Sequence, residues 1–264
     1  MIDYCYHTHT YRCGHAEGKE EEYVLAAIEA GVKVLGFSDH IFLPDVEQPG
    51  TRGSYYELDD YIYTIQKLKR KYADKIEIYL GFEAEFGEKY LDYYHYLKEI
   101  KGIDYLILGQ HLFFEDDQLI WLHQYSTPEE TLEVYVNTLI SAMKTGLFAY
   151  IAHPDICLRL FKKITPFVEA QLRKLCLAAE NYNIPLEINL CGMRHALSEN
   201  DDRLKYPNEE FFKIVSEYNC RVVIGFDAHS PIHFFDHPDF VIKAEDIIKK
   251  YHLNHISRLN LKKS

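Results

Sequence analysis

Residues 2–10, IDYCYHTHT, join a short strand-like run to a pair of histidines. In a β-strand, residues two apart point to the same face, so His7 and His9 present two imidazoles in one direction. Asp227 and His229 repeat this spacing near the other end of the chain. Apolar packing has no use for two imidazoles on one strand face, whereas His and Asp are common metal ligands. We therefore expect the fold to close both segments around one metal site.

Seven strand-like runs alternate with amphipathic segments along the chain. The runs are Ile2–Tyr6, Val32–Phe37, Ile76–Phe82, Tyr105–Leu108, Phe148–Ala152, Leu186–Leu190 and Arg221–Gly225. The helical patterns between them include Glu20–Ala30, Leu58–Tyr72, Pro128–Thr145, Pro166–Tyr182 and Asn208–Tyr218. Several of these begin at a proline or a capping residue, as helices do. This order predicts a parallel sheet, either open or closed into a barrel.

Chemically active residues follow every one of the seven runs. They are His7 and His9, Asp39 and His40, Glu83, His111, His153, Glu187 with Asn189 and Arg194, and Asp227 with His229. In an open sheet the ligand crevice lies near one switch point, so most strand ends would not contribute. In a β/α barrel, all carboxyl ends converge on one mouth. The pattern favours the barrel, with residues 41–58, 112–127 and 191–207 as connections that rim the mouth.

Composition limits the class of protein. With 264 residues, 47% of them hydrophobic, the chain is able to bury one large core. The formal net charge of -12 disfavours nucleic acid and anionic lipid as partners. The six cysteines are scattered without a Cys-x-x-Cys pair, which is typical of reduced thiols. The N-terminal residues lack a basic start and a long apolar run, so we expect a soluble cytoplasmic protein with no membrane partner.

The chain contains 14 histidines, and a single histidine is weak evidence for metal binding. The joint placement of seven of them after strand-like runs is much stronger evidence, because chance does not place one at nearly every strand end. The remaining seven are expected to be surface or structural residues: His95, His123, His195, His233, His237, His252 and His255. Of these, His123 and His233 stay candidates for substrate contact.

Seven short motifs resemble those of the polymerase and histidinol phosphatase (PHP) superfamily, in the family's order and over nearly the whole chain. They are His-x-His-Thr at 7–10, Cys-x-His at 13–15, Ser-Asp-His at 38–40, Gly-x-Glu at 81–83, Gly-x-His at 109–111, His-Pro at 153–154 and Asp-x-His at 227–229. The resemblance implies an α/β fold, a distorted (β/α)7 TIM-like barrel, formed by residues 1–264 as a single PHP-type domain. It also implies a trinuclear metal centre.

The resemblance implies three sets of metal ligands. The first set is His7, His9, Glu83 and Asp227; the second is Glu83, His111 and His153; the third is His15, His40 and His229. Glu85 is a rival for the bridging position because it shares a strand face with Glu83, and Glu83 is preferred because it is closest to the end of the apolar run and matches the motif. Three divalent ions with seven neutral imidazoles and two carboxylates sum to about +4, which makes a cationic pocket in an acidic protein.

Such a pocket suits hydrolysis of a phosphate ester by a metal-bound hydroxide held between the ions that Glu83 bridges. Asp227 or His233 is the candidate that protonates the leaving alcohol. Arg159 and Arg194 are candidates for binding phosphate oxygens, because guanidinium groups pair with them bidentately. The Glu-x-Asn-x-x-Gly-x-Arg arrangement at 187–194 resembles the histidinol-phosphate phosphatase branch, where a similar arginine contacts the phosphate.

The leading prediction is a phosphatase for a small phosphorylated substrate, L-histidinol phosphate in histidine biosynthesis. One alternative is an exonuclease or another PHP-type phosphoesterase; the acidic charge and the lack of a Lys/Arg stripe disfavour a nuclease. A second is a metal-dependent amidohydrolase, for which two arginines at the mouth have no purpose. The mixed nitrogen and oxygen ligands suit Zn, Mn, Fe or Co. The oligomeric state is left open.

Overall fold

The computed structural model describes residues 2–115, 118–235 and 238–261, and within these ranges it contains nine strands and eight α-helices. The strands are β1 (Tyr4–Cys5), β2 (Val34–Phe37), β3 (Glu77–Ala84), β4 (Tyr105–Leu108), β5 (Leu112–Glu115), β6 (Gln118–Trp121), β7 (Leu186–Asn189), β8 (Arg221–Gly225) and β9 (Asn254–His255). The helices are α1 (Glu20–Glu29), α2 (Leu58–Lys71), α3 (Leu91–Glu99), α4 (Pro128–Thr145), α5 (Pro166–Asn181), α6 (Leu190–Ser198), α7 (Glu209–Val215) and α8 (Pro238–Tyr251).

Parallel pairing closes the strands into a ring. Strands β1 to β4 pair in chain order, and β7 pairs with β8. Ile151 joins the two groups through isolated parallel bridges to Leu108 and Leu186. The ring closes where Thr8, after β1, bridges Ala228, after β8. The result is a distorted seven-membered β/α barrel, and this confirms the predicted TIM-like fold class.

Strand alternation separates two apolar clusters. Tyr105 and Ile107 of β4 belong to a small cluster of eight buried residues, whereas Leu106 and Leu108 belong to the large one. The small cluster also holds side chains from β1, β2 and β8, so it fills the barrel interior. The large cluster joins the outer strand faces to the helices. The barrel is therefore packed with side chains below its mouth and has no open pore there.

Two of the longer helices, α4 and α5, form where sequence signals place them. α4 and α5 begin at Pro128 and Pro166, and the preceding threonine of each accepts a hydrogen bond from the third residue of its helix. Gly146 follows α4 and caps it with a φ of 66°, a left-handed conformation that glycine adopts at little cost. Among the helices of the described ranges, none is both long and apolar enough to cross a membrane.

A C-terminal segment, residues 254–261, closes the end of the barrel opposite the mouth. β9 pairs with the start of β8, and Ile256, Leu259 and Leu261 pack against the small interior cluster. Tyr4 Oη lies 2.8 Å from His255 Nε2, and the backbone N–H of Leu259 donates to Tyr6 Oη at 3.3 Å. We call this end, lined by the tyrosines of β1 and β4, the floor.

The structure differs from the sequence prediction in several elements. The run Phe148–Ala152 forms no continuous strand, and Ile151 alone bridges its neighbours, although backbone hydrogen bonds flank it on both sides. The connection predicted at 112–127 contains the antiparallel hairpin β5–β6; residues 116 and 117 lie outside the described residues. The connection predicted at 191–207 contains most of α6. Helices α3 and α8 and strand β9 were not among the predicted elements.

Candidate metal centre

Glu83 lies at the centre of the barrel mouth, where its buried carboxylate is close to five imidazoles. Oε1 lies 2.8 Å from His153 Nε2, 3.5 Å from His7 Nε2 and 3.6 Å from His111 Nε2. Oε2 lies 3.0 Å from His40 Nδ1 and 3.4 Å from His9 Nε2. These imidazoles follow β1, β2, β4 and Ile151 in the chain, so one carboxylate lies close to histidines from around the ring.

Asp227 forms a second anionic centre beside the first. Its Oδ1 lies 3.2 Å from His9 Nε2, 3.2 Å from His229 Nδ1 and 3.6 Å from His7 Nε2. This oxygen is buried, and within the described residues no donor meets it in hydrogen-bonding geometry. A buried carboxylate oxygen without a donor is costly unless a cation binds it.

Imidazole nitrogens from different histidines also approach each other closely. His7 Nε2 lies 3.1 Å from His9 Nε2, and His15 Nε2 lies 3.1 Å from His229 Nε2. Two ring nitrogens at this distance would point lone pairs at each other unless a proton or a shared metal cation lies between them. The donor set of imidazoles and carboxylates is the one that Zn²⁺ and similar ions take. The residues therefore fit a metal centre.

The structure brings all nine predicted ligands into one connected cluster. The first set is compact, since His7, His9 and Asp227 offer ligand atoms within one metal-sized group. The rings of His111 and His153, from the second set, lie 4.8 Å apart. The third set is more divided, because His40 groups with His9 and His229, while His15 groups with His229 and Cys13. Cys13 is a ligand candidate that the sequence prediction did not include.

The backbone is strained at two of these positions. His153 has a φ of 30° and Asp227 a φ of 48°, and both are residues with a side chain in the left-handed region. Such a conformation costs roughly 1–2 kcal/mol per residue. Strain of this kind persists where the surroundings fix it and is common at active sites.

Electrostatics keeps the two carboxylates anionic. Burial alone raises the pKa of Glu83, but the charges of His111, His7 and His40 bring it well below its usual range. Burial also raises the pKa of Asp227, and His7 with His229 overcomes this and lowers it. Both side chains are therefore deprotonated, as metal ligands must be.

Glu85, the rival of Glu83, has a different partner. Its two oxygens accept hydrogen bonds from the guanidinium of Arg52 at 3.1 and 3.2 Å, and both residues are buried. Oε1 of Glu85 also lies 3.2 Å from His111 Nδ1. Glu85 thus orients the ring of His111, whose other nitrogen, Nε2, faces Glu83. This geometry supports Glu83 as the bridging ligand, and sequence reasoning missed Arg52 altogether.

Glu187 supports the cluster from behind. Its Oε1 lies 2.8 Å from His7 Nδ1, and its Oε2 accepts hydrogen bonds from the backbone N–H of His153 and from Asn189 Nδ2, both at 2.8 Å. Asn189 also donates to Asp227 Oδ2 at 3.1 Å. Glu187 and Asn189 are two residues apart in β7 and so share a strand face, and this spacing was the sequence signal for the pair. The pair fixes the orientation of His7, His153 and Asp227, which are predicted ligands.

A cavity of about 660 Å³ opens above the cluster, and its walls come from all three predicted rim connections. Arg159, Arg194 and His233 line it, as predicted, and so does His195, which was expected to be a structural or surface residue. Arg194 Nη2 donates to the backbone oxygen of Asp227 at 2.9 Å. His123 is exposed and is absent from the described walls, and His237 lies outside the described residues.

His233 is held by a backbone contact. The N–H of His229 donates to His233 Nδ1 at 3.1 Å, so the proton of the neutral ring is on Nε2. Burial and the positive charge of Arg194 lower the pKa of His233 to about 4. The ring is therefore a neutral hydrogen-bond donor at the cavity wall.

Comparison with known proteins gives relatives of similar length. A probable histidinol-phosphatase of Deinococcus radiodurans is 28% identical over 235 residues, 85% of each chain. A probable phosphatase of Caldicellulosiruptor bescii is 26% identical and covers 84% of this chain and 78% of its own. The crystal structure of histidinol phosphate phosphatase from Lactococcus lactis, complexed with Zn, L-histidinol and phosphate, superposes with a TM-score of 0.72 at 18% identity, over 98% of this chain and 99% of that one.

The PHP domain family matches residues 6–190, well over half of the chain. The matched range begins just before the paired histidines that follow β1 and ends just after β7, and it contains seven of the nine side chains of the cluster. The family assignment predicted from the seven motifs is thereby confirmed. The chain belongs to the PHP domain family.

Proposed function

We propose that this protein is a metal-dependent phosphomonoester hydrolase and that its substrate is L-histidinol phosphate, an intermediate of histidine biosynthesis. The observation that carries the proposal is that two arginines and seven of the nine cluster residues line one cavity, with His7 and His9 buried beneath it. Cationic groups that line one cavity match the charge of a phosphate dianion. The names of the relatives in Deinococcus radiodurans and Lactococcus lactis support the choice of substrate.

Three divalent ions, of Zn, Mn, Fe or Co, would occupy the cluster. His7, His9, Glu83 and Asp227 would hold one; Glu83, His111 and His153 a second; and His15, His40 and His229 a third. When bound, such ions supply positive charge to phosphate oxygens and lower the pKa of a bound water toward about 7. The two oxygens of Glu83 face different histidines, Oε1 facing His153 and Oε2 facing His40, and this arrangement suits a carboxylate that bridges two ions.

The two arginines would bind and orient the phosphate. Arg194 is anchored to the backbone of Asp227, so its guanidinium lies directly beside the cluster. Arg159 lines the same cavity from the segment after His153. A planar guanidinium donates two parallel hydrogen bonds to phosphate oxygens, which fixes the direction of the ester bond as well as binding the charge.

Departure of the alcohol requires a proton. The attacking water would release one when it becomes hydroxide, and Asp227, which is deprotonated, and His233 are the candidates to pass it to the leaving oxygen. His233 carries its proton on Nε2, because its Nδ1 accepts from the backbone of His229. Replacing His233 by Asn is expected to lower kcat and to leave the affinity for inorganic phosphate unchanged. An unchanged kcat would assign the proton transfer to Asp227.

The alternative functions fit the cavity less well. A nuclease needs a surface that binds an extended phosphate backbone, and the net charge of -12 opposes this. An amidohydrolase acts on a carbonyl carbon and has no use for Arg159 and Arg194. Both alternatives predict turnover of substrates that a small-phosphate phosphatase does not accept.

The test is phosphate release from a panel of L-histidinol phosphate, sugar phosphates, phosphotyrosine and DNA, with protein whose metal content has been measured. We expect L-histidinol phosphate to give the highest kcat/KM, and Arg194→Lys to raise its KM by about tenfold. Arg203→Lys is the matched control, because Arg203 is exposed and pairs with Asp201 in the same connection. A preference for DNA, or for an amide substrate tested beside the panel, would contradict the proposal.

A further inference from the structure

Arg159 does not stand alone at the cavity wall. Its Nη2 donates to Glu199 Oε1, and the other carboxylate oxygen of Glu199 lies 3.0 Å from Lys205 Nζ. Lys205 Nζ is also 2.9 Å from Asp201 Oδ1. Glu199, which follows α6, therefore pairs with Arg159 through one carboxylate oxygen and with Lys205 through the other.

The segment that carries Glu199 is tied to the segment that carries Arg159. The backbone N–H of Leu204 donates to the oxygen of Phe161 at 2.7 Å. The N–H of Asn208 donates to Oδ2 of the fully buried Asp155 at 2.6 Å. These two hydrogen bonds connect residues 204–208 to residues 155–161, on both sides of Arg159. Lys205 lies within the tied segment and contacts Glu199 Oε2, so the Glu199 carboxylate does not depend on Arg159 alone for its position.

The charge of Glu199 is also secured. Although burial raises the pKa of Glu199, the hydrogen bond from Lys205 and the charge of Arg159 hold it below the usual range. The Glu199 side chain is 18% exposed and that of Arg159 35% exposed, so the pair lies at the rim and is partly in water. At such a site a long arginine side chain has many rotamers, and fixing one costs free energy on ligand binding.

We propose that Glu199 is a positioning residue that orients Arg159 toward the phosphate of the substrate. By using one edge of the guanidinium, Glu199 directs the other N–H donors along the cavity wall before a ligand arrives. The ordering cost is then met by the fold and not by phosphate binding. This inference depends on the proposed function, since it assigns to Arg159 the task of binding a phosphate group.

A role of Glu199 as a competitor of phosphate predicts the opposite change in phosphate affinity. If Glu199 competed with phosphate for Arg159, removing its charge would tighten phosphate binding. The two ties between the segments argue against this, because a competitor has to move away when the ligand binds. The sign of the change in phosphate affinity therefore decides between the two roles.

The test compares Glu199→Gln with Asp202→Asn in metal-loaded protein. Asp202 is an exposed residue of the same connection that pairs with Lys162, so its variant removes one charge without touching Arg159. We expect Glu199→Gln to raise KM, and the dissociation constant of inorganic phosphate measured by calorimetry, by about three- to tenfold. The value of kcat should stay within about twofold, and Asp202→Asn should change none of these quantities.

A double-mutant cycle separates positioning from a general structural effect. In an Arg159→Ala background, Glu199→Gln should cause no further loss of phosphate affinity, because Glu199 then has no guanidinium to orient. An undiminished loss in that background, an unchanged affinity in the single variant, or a tighter affinity would each overturn the inference. Normal phosphate binding without turnover of any phosphomonoester would contradict the proposed function alone, whereas no phosphate binding by the unaltered protein would overturn both.

Discussion

The two ends of the same barrel are built from opposite kinds of interaction. At the mouth, nine His, Glu and Asp side chains crowd together, and Asp227 Oδ1 is buried without a hydrogen-bond donor among the described residues. At the floor, Tyr4 and Tyr6 meet partners in residues 254–261, which pack over the interior cluster. At the mouth, polar atoms crowd together in contacts that are unfavourable without a bound cation. At the floor, the hydroxyls of Tyr4 and Tyr6 have hydrogen-bond partners within the protein. Binding chemistry and stability are thus supplied by different ends of the strands.

The difference extends to charge. At the floor, Asp3 pairs through both oxygens with Arg258 at 2.8 Å. Left-handed φ angles do not distinguish the two ends, since His252, just before β9, has one as His153 does at the mouth. If this comparison is correct, substitutions at the mouth will change activity and metal content, and substitutions at the floor will change stability.

The largest effect is expected from Glu83→Gln. A neutral amide removes the charge that faces five imidazoles, so we expect metal content to fall and phosphate release to drop by about a thousandfold or more. Elemental analysis and kcat measure the two changes. The control is Glu77→Gln, at the exposed floor end of the same strand, which should leave both values intact. A Glu83→Gln variant with full metal content and activity would show that Glu83 at the mouth is not needed for metal binding or catalysis.

Glu187→Gln should have the next largest effect. Its carboxylate orients His7 and receives the N–H of His153, and loss of such a supporting group usually lowers metal affinity by about 10- to 100-fold. Competition with a chelator measures the change. Metal affinity equal to that of the unaltered protein would show that the ligands hold their geometry without Glu187.

Deleting residues 254–264 tests the floor. The deletion uncovers the tyrosine-lined interior and removes three partly buried apolar side chains, so we expect the free energy of unfolding to fall by about 3 kcal/mol. Urea unfolding measures it, while the metal content of the folded fraction should not change. The milder control Arg258→Gln breaks the exposed pair with Asp3 and the contact of the guanidinium with the Tyr4 ring, at a cost of about 1 kcal/mol. Loss of metal without loss of stability would contradict the division between the two ends.

The smallest effect is expected from Tyr150→Phe. Tyr150 Oη is buried in the barrel interior, and it has no hydrogen-bond partner within the described residues. Removing the hydroxyl should raise the free energy of unfolding by about 1 kcal/mol. Tyr105→Phe is the matched control, because Tyr105 Oη donates to the backbone oxygens of Tyr6 and Phe37 at 2.8 and 3.0 Å. That variant should be destabilised by a similar amount, and a stabilised Tyr105→Phe would contradict the argument.

Much of the fold was predictable because polar residues interrupt apolar runs at the carboxyl ends of the strands. The elements that sequence reasoning missed have weaker local signals. The hairpin β5–β6 consists of two four-residue strands, too short for alternation to stand out. Helix α6 contains Gly192, a poor helix former, and is capped by Asn189, whose side chain accepts from the N–H of Gly192 at 2.8 Å. That cap is the last residue of a strand, so it gave no sign of a helix start.

The sequence by itself determined which residue types meet at the mouth, because strand periodicity and the common direction of parallel strands place them there. Only the tertiary structure decided what each one touches. Glu83 and Glu85 share a strand face, but the guanidinium of Arg52, 33 residues before Glu85 in the chain, pairs with Glu85 and leaves Glu83 to the histidines. Likewise, Glu199 reaches Arg159 across 40 residues. Periodicity fixes the face of a side chain, whereas its charge partner depends on segments that only folding brings near.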